Sequence, residues 1–495
     1  MKRNILLGLS LLFLGACELE TPPESDLTYT GFWNKEEAAK SVHSGVYSRF
    51  RSYGYTMWLM GELRSDIWGG KAIENSHNQD LYTNDINITK VAFNNWGNWY
   101  SMLHYINDFI KNAPQTSFSN ENEKKNMLAQ MYGLRAYIYY TMLKSWGDVP
   151  LVTEPLQNVN NLTALKKARA PKAKVLAFIK QDIQRSLDLF EGNENFYRDN
   201  VYWSKRATLI LKGDVFLWSG KVLGGGATEF TEAKNALSQV SGALVPYENL
   251  WGIDNEKNTE FIFALDYKKD EAEHFYKVTT ARNTDVKDKF DDSGRKISSF
   301  LYVEGGNYHS PSEKTLRLID DVKDQRRATF VRVYSDNVGH IPFNTTNYLG
   351  SILSKFVGRN NSGDIVNENN VPIYRYADVL LLLAEAKNNL GEDPSAEINQ
   401  VRARAYGSNY NVATHGYTNS TKANNAKAIL DERYKEFIGE GKRWWDLLRA
   451  GDNFVYDEVA SMTSNGTKKN IYLPISPAMI ADDNTLVQTP GYKQR

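Results

Sequence analysis

The stretch RYADVLLLLAEAKNNLGEDPSAEINQVRARAYG, residues 375–407, carries the strongest fold signal in the chain. Its two parts, residues 375–391 and 395–407, place apolar residues at i, i+3 and i+4 spacing, which is the pattern of amphipathic α-helices. The most apolar piece, VLLLLAEA at 379–386, is far shorter than the roughly 20 residues needed to cross a bilayer. The stretch therefore predicts two consecutive helices of a water-soluble body.

Small residues fall at Ala384, Ala396 and Ala403 within these two helices. Their offsets of 12 and 7 residues match the close-contact positions of a tetratricopeptide helical hairpin, where small side chains let two helices approach. Other helix pairs could stack on this hairpin as a partial solenoid.

Helical periodicity recurs on both sides of this stretch, while the middle of the chain differs. The further predicted helices span residues 36–50, 98–113, 126–146, 172–190, 204–223 and 424–452. Between about 245 and 372 the chain has short mixed runs broken by Asn, Gly, Asp and Ser, which predict loops and short strands. The predicted fold class is mainly α: tetratricopeptide-like helix pairs packed against an irregular, loop-rich region.

The N-terminal stretch MKRNILLGLSLLFLGACELE has the layout of a secretory signal. Its end, Leu14-Gly15-Ala16-Cys17, resembles a bacterial lipobox, and Cys17 is the single cysteine of the chain. We expect residues 1–16 to be removed and Cys17 to carry lipid that tethers the protein to a membrane. The alternative is an ordinary signal peptide with a cysteine near its cleavage site. Residues 17–30 are then a flexible spacer, and residues 31–495 a single domain.

Composition narrows the classes of ligand. The chain has 59 Lys and Arg against 59 Asp and Glu, and removing Lys2 and Arg3 with the signal changes the balance to 57 − 59 = −2. Nucleic acid is therefore not an expected partner, because phosphate binding needs a concentrated basic surface. The 29 tyrosines and 11 tryptophans favour neutral ligands instead.

Catalytic motifs are nearly absent from the sequence. Seven histidines lack an HExxH pattern, the Gly triplet at 224–226 lacks the Lys-Ser/Thr of a phosphate loop, and no Gly-x-Ser-x-Gly occurs. No acidic run has the EF-hand pattern, so we expect neither a metal nor another cofactor. Two carboxylates suffice for a glycosidase, so hydrolysis stays open as an alternative.

Several separate motifs together resemble the SusD/RagB family. Those of the C-terminal part are RYADVLLLLAEAKNNLG, INQVRARA, LDERYKEFIGEGKRWWDLLRAG, YLPISPAMI and QTPGY, in this order. GELRSDIW, LRAYIYYTMLKSWGDVPL and DQRR add to them, so the resemblance covers nearly the whole chain.

The resemblance implies a surface-exposed outer-membrane lipoprotein that binds oligosaccharide, or in some members peptide. It also implies a partner, a TonB-dependent barrel transporter of the SusC type. Glu18 and Glu20, just after Cys17, resemble the surface-export signal of such lipoproteins. A helical scaffold that binds only protein partners is a third possibility.

Two segments pair aromatic rings with short polar side chains, as a sugar site requires. In GELRSDIWGG these are Asp66 and Trp68, and in VAFNNWGNWY they are Asn95 and Trp96. Trp96 stands at the apparent start of a helix, where it either packs or binds ligand.

The loop-rich middle offers further candidates, because binding residues concentrate on loops held by a rigid scaffold. Tyr302 and Tyr308 flank Gly305-Gly306, and Arg375 precedes a long helix, where it either contacts hydroxyls or fixes a loop. In contrast, the tryptophan pair in GKRWWDLLRAG and the charged residues at 432–443 are expected to be structural.

Overall fold

The computed structural model describes residues 29–74, 79–89, 93–157 and 161–493. The predicted signal (1–16), the lipidation site Cys17 and residues 18–28 of the predicted spacer lie outside these ranges. The described chain begins with a helix at Tyr29, two residues before the predicted domain boundary.

The N-terminal half is helical, as its periodicity predicts. Its helices are α1 (Tyr29–Trp33), α2 (Glu36–Ser52), α3 (Gly54–Glu62), α4 (Gln79–Tyr82), α5 (Gly97–Asn112), α6 (Glu121–Trp146), α7 (Leu162–Leu165), α8 (Lys172–Phe190), α9 (Lys205–Val222) and α10 (Gly226–Leu237). Side-chain caps begin two of the long ones: Asn120 accepts from the first turn of α6, and Ser204 accepts from Ala207 N in α9.

The middle region contains short strands among loops, also as predicted. Its elements are β1 (Phe261–Leu265), α11 (Asn283–Val286), α12 (Glu313–Leu318), β2 (Phe330–Tyr334), β3 (Tyr348–Leu353), β4 (Arg359–Asn361), β5 (Asp364–Val366) and β6 (Val371–Arg375). The strands pair antiparallel as β1–β6, β2–β3 and β4–β5. Because β6 runs directly into the next helix, its pairing with β1 ties the loop-rich region to the helical scaffold.

Helices return in the C-terminal part. They are α13 (Tyr376–Leu390), α14 (Ser395–Tyr406), α15 (Val412–His415), α16 (Lys422–Phe437), α17 (Arg443–Ala450), α18 (Asp452–Glu458) and α19 (Pro477–Asp482), with the ribbon β7 (Thr463–Ser464) and β8 (Thr467–Lys468) before the last. The predicted fold class, mainly α with short strands, is confirmed. Among the described residues, no helix combines the length and apolar character that a membrane crossing requires.

The long helices pack as successive neighbours, α6 on α8, α8 on α9, α9 on α10, α10 on α13 and α13 on α14 and α16. Helix α6 lies inside this stack, since most of its residues from Asn126 to Trp146 are buried. Arg135 of α6 donates to both carboxylate oxygens of Asp182 of α8, at 2.7 and 2.8 Å. Charged side chains buried between helices require a partner of opposite charge.

The contact between α13 and α14 differs from the predicted one. Ala384 is buried against Ile398, but Ala396 is exposed and Ala403 is half-buried. The expectation that all three small residues lie at the close contact is therefore wrong for Ala396. One small residue opposite a branched one is enough to let these two helices approach.

The predicted helix at 424–452 is divided into α16 and α17. Gly439 and Gly441 in the break have φ of +83° and +73°, which glycine adopts without steric cost. Their N–H groups donate to the two carboxylate oxygens of Glu62, each at 2.6 Å. The break thus attaches the end of α3 to the C-terminal helices.

Candidate functional site

Asp66 and Trp68 lie in the protein interior and not at a binding surface. Asp66 accepts from Arg443 at 2.8 and 3.0 Å and from Lys314 at 2.6 Å. Burial alone would raise the pKa of Asp66, but Arg443 and Lys314 outweigh it and lower this pKa below its usual value. The carboxylate therefore stays charged and holds three segments of chain together.

Trp68 is 4% exposed and packs edge-on against Trp58 and Phe330, with ring centroids 5.4 and 5.7 Å apart. Its backbone bridges to Pro311, and Gly69 N donates to Ser310 O at 3.2 Å. As placed, this ring is not available to a sugar. Trp68 instead supports the loop that follows Tyr302 and Tyr308.

Arg375 has no exposed surface. Its guanidinium donates to Glu260 and Glu436 at 2.7 Å each and to Glu440 at 2.9 Å. Burial would raise the pKa of Glu440, yet Arg375 and Lys355 hold it at about 2. Of the two roles considered for Arg375, its geometry corresponds to fixing the structure.

Four other residues, Trp444, Arg402, Arg404 and Arg433, lie in similar surroundings. Trp444 is 1% exposed, Arg402 donates to Glu432 at 2.8 Å, and Arg404 donates to Glu260 at 3.1 Å. Arg433 pairs with Asp446 at 2.8 Å. These side chains connect α14, α16 and α17 and therefore have a structural role.

Tyr302 and Tyr308 lie on one surface loop. We call this loop, together with Glu74, Arg282 and Asp285 beside Tyr308, the loop face. Asn307 attaches this loop to its neighbours, because its Oδ1 accepts from Ile73 N at 2.9 Å and its Nδ2 donates to Ser351 O at 2.8 Å. The loop face is therefore held in place by hydrogen bonds from two other segments.

Arg282 presents the exposed charge of the loop face. Its side chain is 60% exposed, and its Nε lies 3.0 Å from Asp285 and 3.5 Å from Glu74. The hydrogen bond to Asp285 and the charges of Glu74 and Asp285 raise the pKa of Arg282, with a smaller contribution from Tyr308. Arg282 and Glu74 were not found from sequence, since isolated charges in a loop carry no motif.

The two tyrosines of the loop face are half-buried. The Tyr302 hydroxyl donates to Gly363 O at 2.8 Å, which orients its ring. A Cβ at Gly306 would lie 2.7 Å from Tyr308 Cζ, so glycine is what lets the Tyr308 ring lie over the backbone there. Each ring keeps a partly exposed surface beside charged and hydroxyl groups.

Asn95 and Trp96 lie elsewhere, beside a second feature that we call the Trp96 cleft. It has a volume of about 700 Å³ and is lined by residues of α5, of α7, of 150–156 and of 483–486. Asn95 is exposed, and its Oδ1 accepts from Gly97 N at 2.7 Å, which starts α5. Trp96 is 4% exposed and packs edge-on against Trp146, so packing is its main role.

Larger exposed groups of the cleft were not found from sequence. They are Tyr105, Leu156 and Leu165, which are 38%, 49% and 43% exposed. Arg49 covers one face of the Tyr105 ring with its guanidinium carbon 4.4 Å from the ring centre. Exposed apolar groups gathered in one cleft are typical of a contact surface.

The seven predicted binding residues thus fall into three places: the interior (Asp66, Trp68 and Arg375), the Trp96 cleft (Asn95 and Trp96) and the loop face (Tyr302 and Tyr308). Within the described ranges, no group of three or more His, Cys, Asp or Glu side chains is arranged to hold a metal ion.

A helical scaffold of stacked pairs packed against a loop-rich region defines the class of fold. Two family models match this chain. The model described as the SusD family matches residues 248–492, and the model described as "Starch-binding associating with outer membrane" matches residues 19–207. The chain belongs to the SusD/RagB family.

Individual relatives agree with this assignment. SusD-like protein P38 of Formosa agariphila is 24% identical over 99% of this chain and 98% of its own length. Among solved structures, B. fragilis NanU is 31% identical, covers 95% of this chain and is itself covered completely, with a TM-score of 0.85. A SusD superfamily protein from Bacteroides vulgatus is also 31% identical, over 93% of this chain and all of its own, with a TM-score of 0.83.

Proposed function

We propose that this protein captures oligosaccharide at the cell surface, on its loop face, and passes it without cleavage to a TonB-dependent outer-membrane transporter of the SusC type. Membership of a family whose model is described as starch-binding and associated with the outer membrane supports the ligand class and the location. The observation that carries the site is the exposed Arg282, held by two carboxylates beside the partly exposed ring of Tyr308.

This arrangement suits a neutral sugar. Hydroxyl groups both donate and accept hydrogen bonds, so Arg282 and the carboxylates of Glu74 and Asp285 provide complementary partners. Tyr308 adds ring surface beside these groups, against which the C–H face of a sugar can pack. Because the loops are anchored by Asn307, little ordering entropy is lost on binding.

The Trp96 cleft is the surface that we assign to the transporter, because three of its exposed side chains, Tyr105, Leu156 and Leu165, are aromatic or aliphatic. Tyr29, the first described residue, lies near its rim: the Tyr29 hydroxyl accepts from Gln157 Nε2 at 2.7 Å, next to Leu156 of the cleft. Eleven residues lie between Cys17 and Tyr29, so a lipid on Cys17 is at most about 40 Å from Tyr29. The lipid anchor therefore keeps the cleft near the outer membrane, where the barrel lies.

Binding without turnover is the first test. Native affinity electrophoresis of the purified protein in gels containing starch and other polysaccharides should show retardation by at least one of them. Incubation with that polysaccharide should release no new reducing ends. New reducing ends that disappear when a pair of carboxylates is replaced would show a hydrolase instead.

Matched aromatic variants locate the site. Tyr308→Ala should weaken retention by about tenfold, which is the loss of about 1.4 kcal/mol. Tyr105→Ala removes a partly exposed tyrosine of the Trp96 cleft and should leave retention unchanged while weakening association with the transporter. The opposite result, retention lost only with Tyr105→Ala, would place the glycan in the cleft and contradict the assignment to the loop face.

A further inference from the structure

A separate pocket of about 380 Å³ opens where α6, α8 and α9 meet α17 and α18. Three lysines line it, Lys144, Lys172 and Lys221, and Asp452 is the single acidic residue among its lining groups. Its formal charge is therefore 3 − 1 = +2 on a chain whose acidic and basic residues balance. We call it the lysine pocket.

The three ammonium groups are poorly compensated by protein carboxylates. The nearest carboxylate to Lys144 belongs to Asp214, 4.0 Å away, and this carboxylate already binds Arg449 at 3.0 Å. Lys172 reaches the Tyr472 hydroxyl at 3.4 Å. Among the described residues, neither Lys172 nor Lys221 forms an ion pair within 4.0 Å, whereas Lys180 of α8, Lys212 of α9 and Lys234 of α10 each do.

Lys144 makes the pocket more than a group of surface lysines. This residue is 6% exposed, and its ammonium lies over the rings of Tyr140 and Trp445, 4.1 and 4.7 Å from their centres. Burial lowers the pKa of Lys144 to about 8, although the charge of Asp214 partly offsets it. Lys144 shares its counterion Asp214 with Arg449, so an anion in the pocket would supply this buried cation with a second partner.

The remaining walls are apolar or aromatic. Trp218, Val222, Leu448 and Ile471 line the pocket together with the half-buried ring of Tyr472. A pocket of this size, with an apolar wall and a few convergent charges, is typical of small-molecule sites.

We infer that the lysine pocket binds a small ligand bearing an oxyanion, that is, a carboxylate, sulfate or phosphate group. Ammonium groups on flexible stems can converge on such a group, and the ring of Tyr472 can pack against the body of an organic acid. The inference does not rest on the proposed glycan site, since the two features share no residue. Its two possible sources are a free inorganic oxyanion and an acidic sugar.

Isothermal titration calorimetry at constant ionic strength tests the inference on the purified full chain. The probes are sodium sulfate, sodium phosphate and D-glucuronate, with D-glucose as the neutral control. We expect saturable binding of at least one oxyanion and none of glucose. Binding of glucuronate would identify an acidic sugar or similar organic acid as the ligand, and binding of sulfate or phosphate alone would identify a free oxyanion.

Lysine variants connect that binding to this pocket. Lys172→Gln and Lys221→Gln should each weaken it about fivefold or more, because each removes one positive charge from the ligand's surroundings. Lys323→Gln changes net charge equally at an exposed position outside the pocket and should have no effect. The absence of saturable oxyanion binding, or equal affinity in all three variants, would overturn the inference.

Discussion

At the scale of single residues, two arginines show how environment decides the role of one side-chain type. Arg375 has no exposed surface and donates to three buried glutamates. Arg282 also pairs with carboxylates, but its side chain is 60% exposed, so it keeps donors for a ligand. The sequence left Arg375 open between a ligand residue and a loop anchor, and it gave no sign of Arg282.

Replacing these two arginines should have opposite effects. Arg375→Gln removes a counterion that buried Glu260, Glu436 and Glu440 share, and should lower the free energy of unfolding by about 3–5 kcal/mol. Arg282→Gln should change stability by less than about 0.5 kcal/mol, since the Arg282 side chain is 60% exposed, while weakening glycan retention. Urea unfolding and affinity gels measure the two effects; an unchanged stability of Arg375→Gln would contradict the structural role.

At the scale of elements, α3 shows what periodicity misses. Its sequence GYTMWLMGE is apolar on nearly every side, and seven of its nine residues are buried, so no amphipathic pattern marks it. Its position depends on close backbone approach: a Cβ at Gly61 would lie 1.8 Å from the carbonyl oxygen of Gly441. The position of α3 and the conformation of the break between α16 and α17 therefore depend on each other.

Two glycine-to-alanine changes inside helices test this contact. Gly61→Ala should destabilise the protein by about 1–3 kcal/mol, because α3 or residues 438–442 must move. Gly45→Ala lies in an exposed part of α2 with no atom within 4 Å of the added Cβ, and should stabilise it by about 0.5–1 kcal/mol. Thermal unfolding of both variants is the measurement, and a similar shift for both would show that α3 does not depend on this approach.

At the scale of the whole molecule, buried charges join elements that lie far apart in the chain. Arg326 donates to Glu432 at 2.6 Å, and Arg375 and Arg404 both reach Glu260 and Glu436. These contacts connect the loop-rich region with α14 and α16. Since the partners must be ionised together, the stability of the molecule depends on pH.

Two sets of side chains, whose pKa values folding shifts in opposite directions, determine how stability changes with pH. Burial lowers the pKa of His43 to about 4 and of His274 to about 3, and ion pairs hold that of Glu440 at about 2. Burial raises the pKa of Glu62 to about 8 and of Glu256 to about 7. Because the pKa of both histidines is lowered by folding, their effect is to reduce the stability of the protein as pH falls below about 6.5. Because the pKa of Glu62 and Glu256 is raised by folding, their effect is to reduce it as pH rises above about 4.5.

These pH ranges predict how the free energy of unfolding changes with pH. Between about pH 4.5 and 6.5 the opposing proton counts nearly cancel, so the free energy of unfolding should be nearly constant. Below about pH 4.5 it should fall steeply, because the unfolded chain then binds protons at Glu440 and both histidines that the folded state excludes. Urea unfolding from pH 3 to 8 measures this, and a steady decline from pH 7 downward would contradict the assigned shifts.

Much of the fold was predictable because it depends on local sequence patterns. Amphipathic periodicity and turn residues located the long helices and the loop-rich middle, and separate motifs along the chain indicated the family. The position of Tyr302 and Tyr308 on a surface loop followed from glycine-rich composition. The roles of Asp66 and Trp68 did not, since the partner of Asp66 is Arg443, 377 residues further along the chain.

What the sequence by itself determined is therefore the class of scaffold and the segments that form it, because helix formation depends on residues within a few positions of one another. What only the tertiary structure decided is which polar and aromatic side chains remain accessible. Burial of Asp66, Trp68 and Arg375, exposure of Arg282 and the convergence of Lys144, Lys172 and Lys221 all depend on contacts between distant segments. Local pattern does not encode those contacts, since burial is a property of the packed chain and not of the residue.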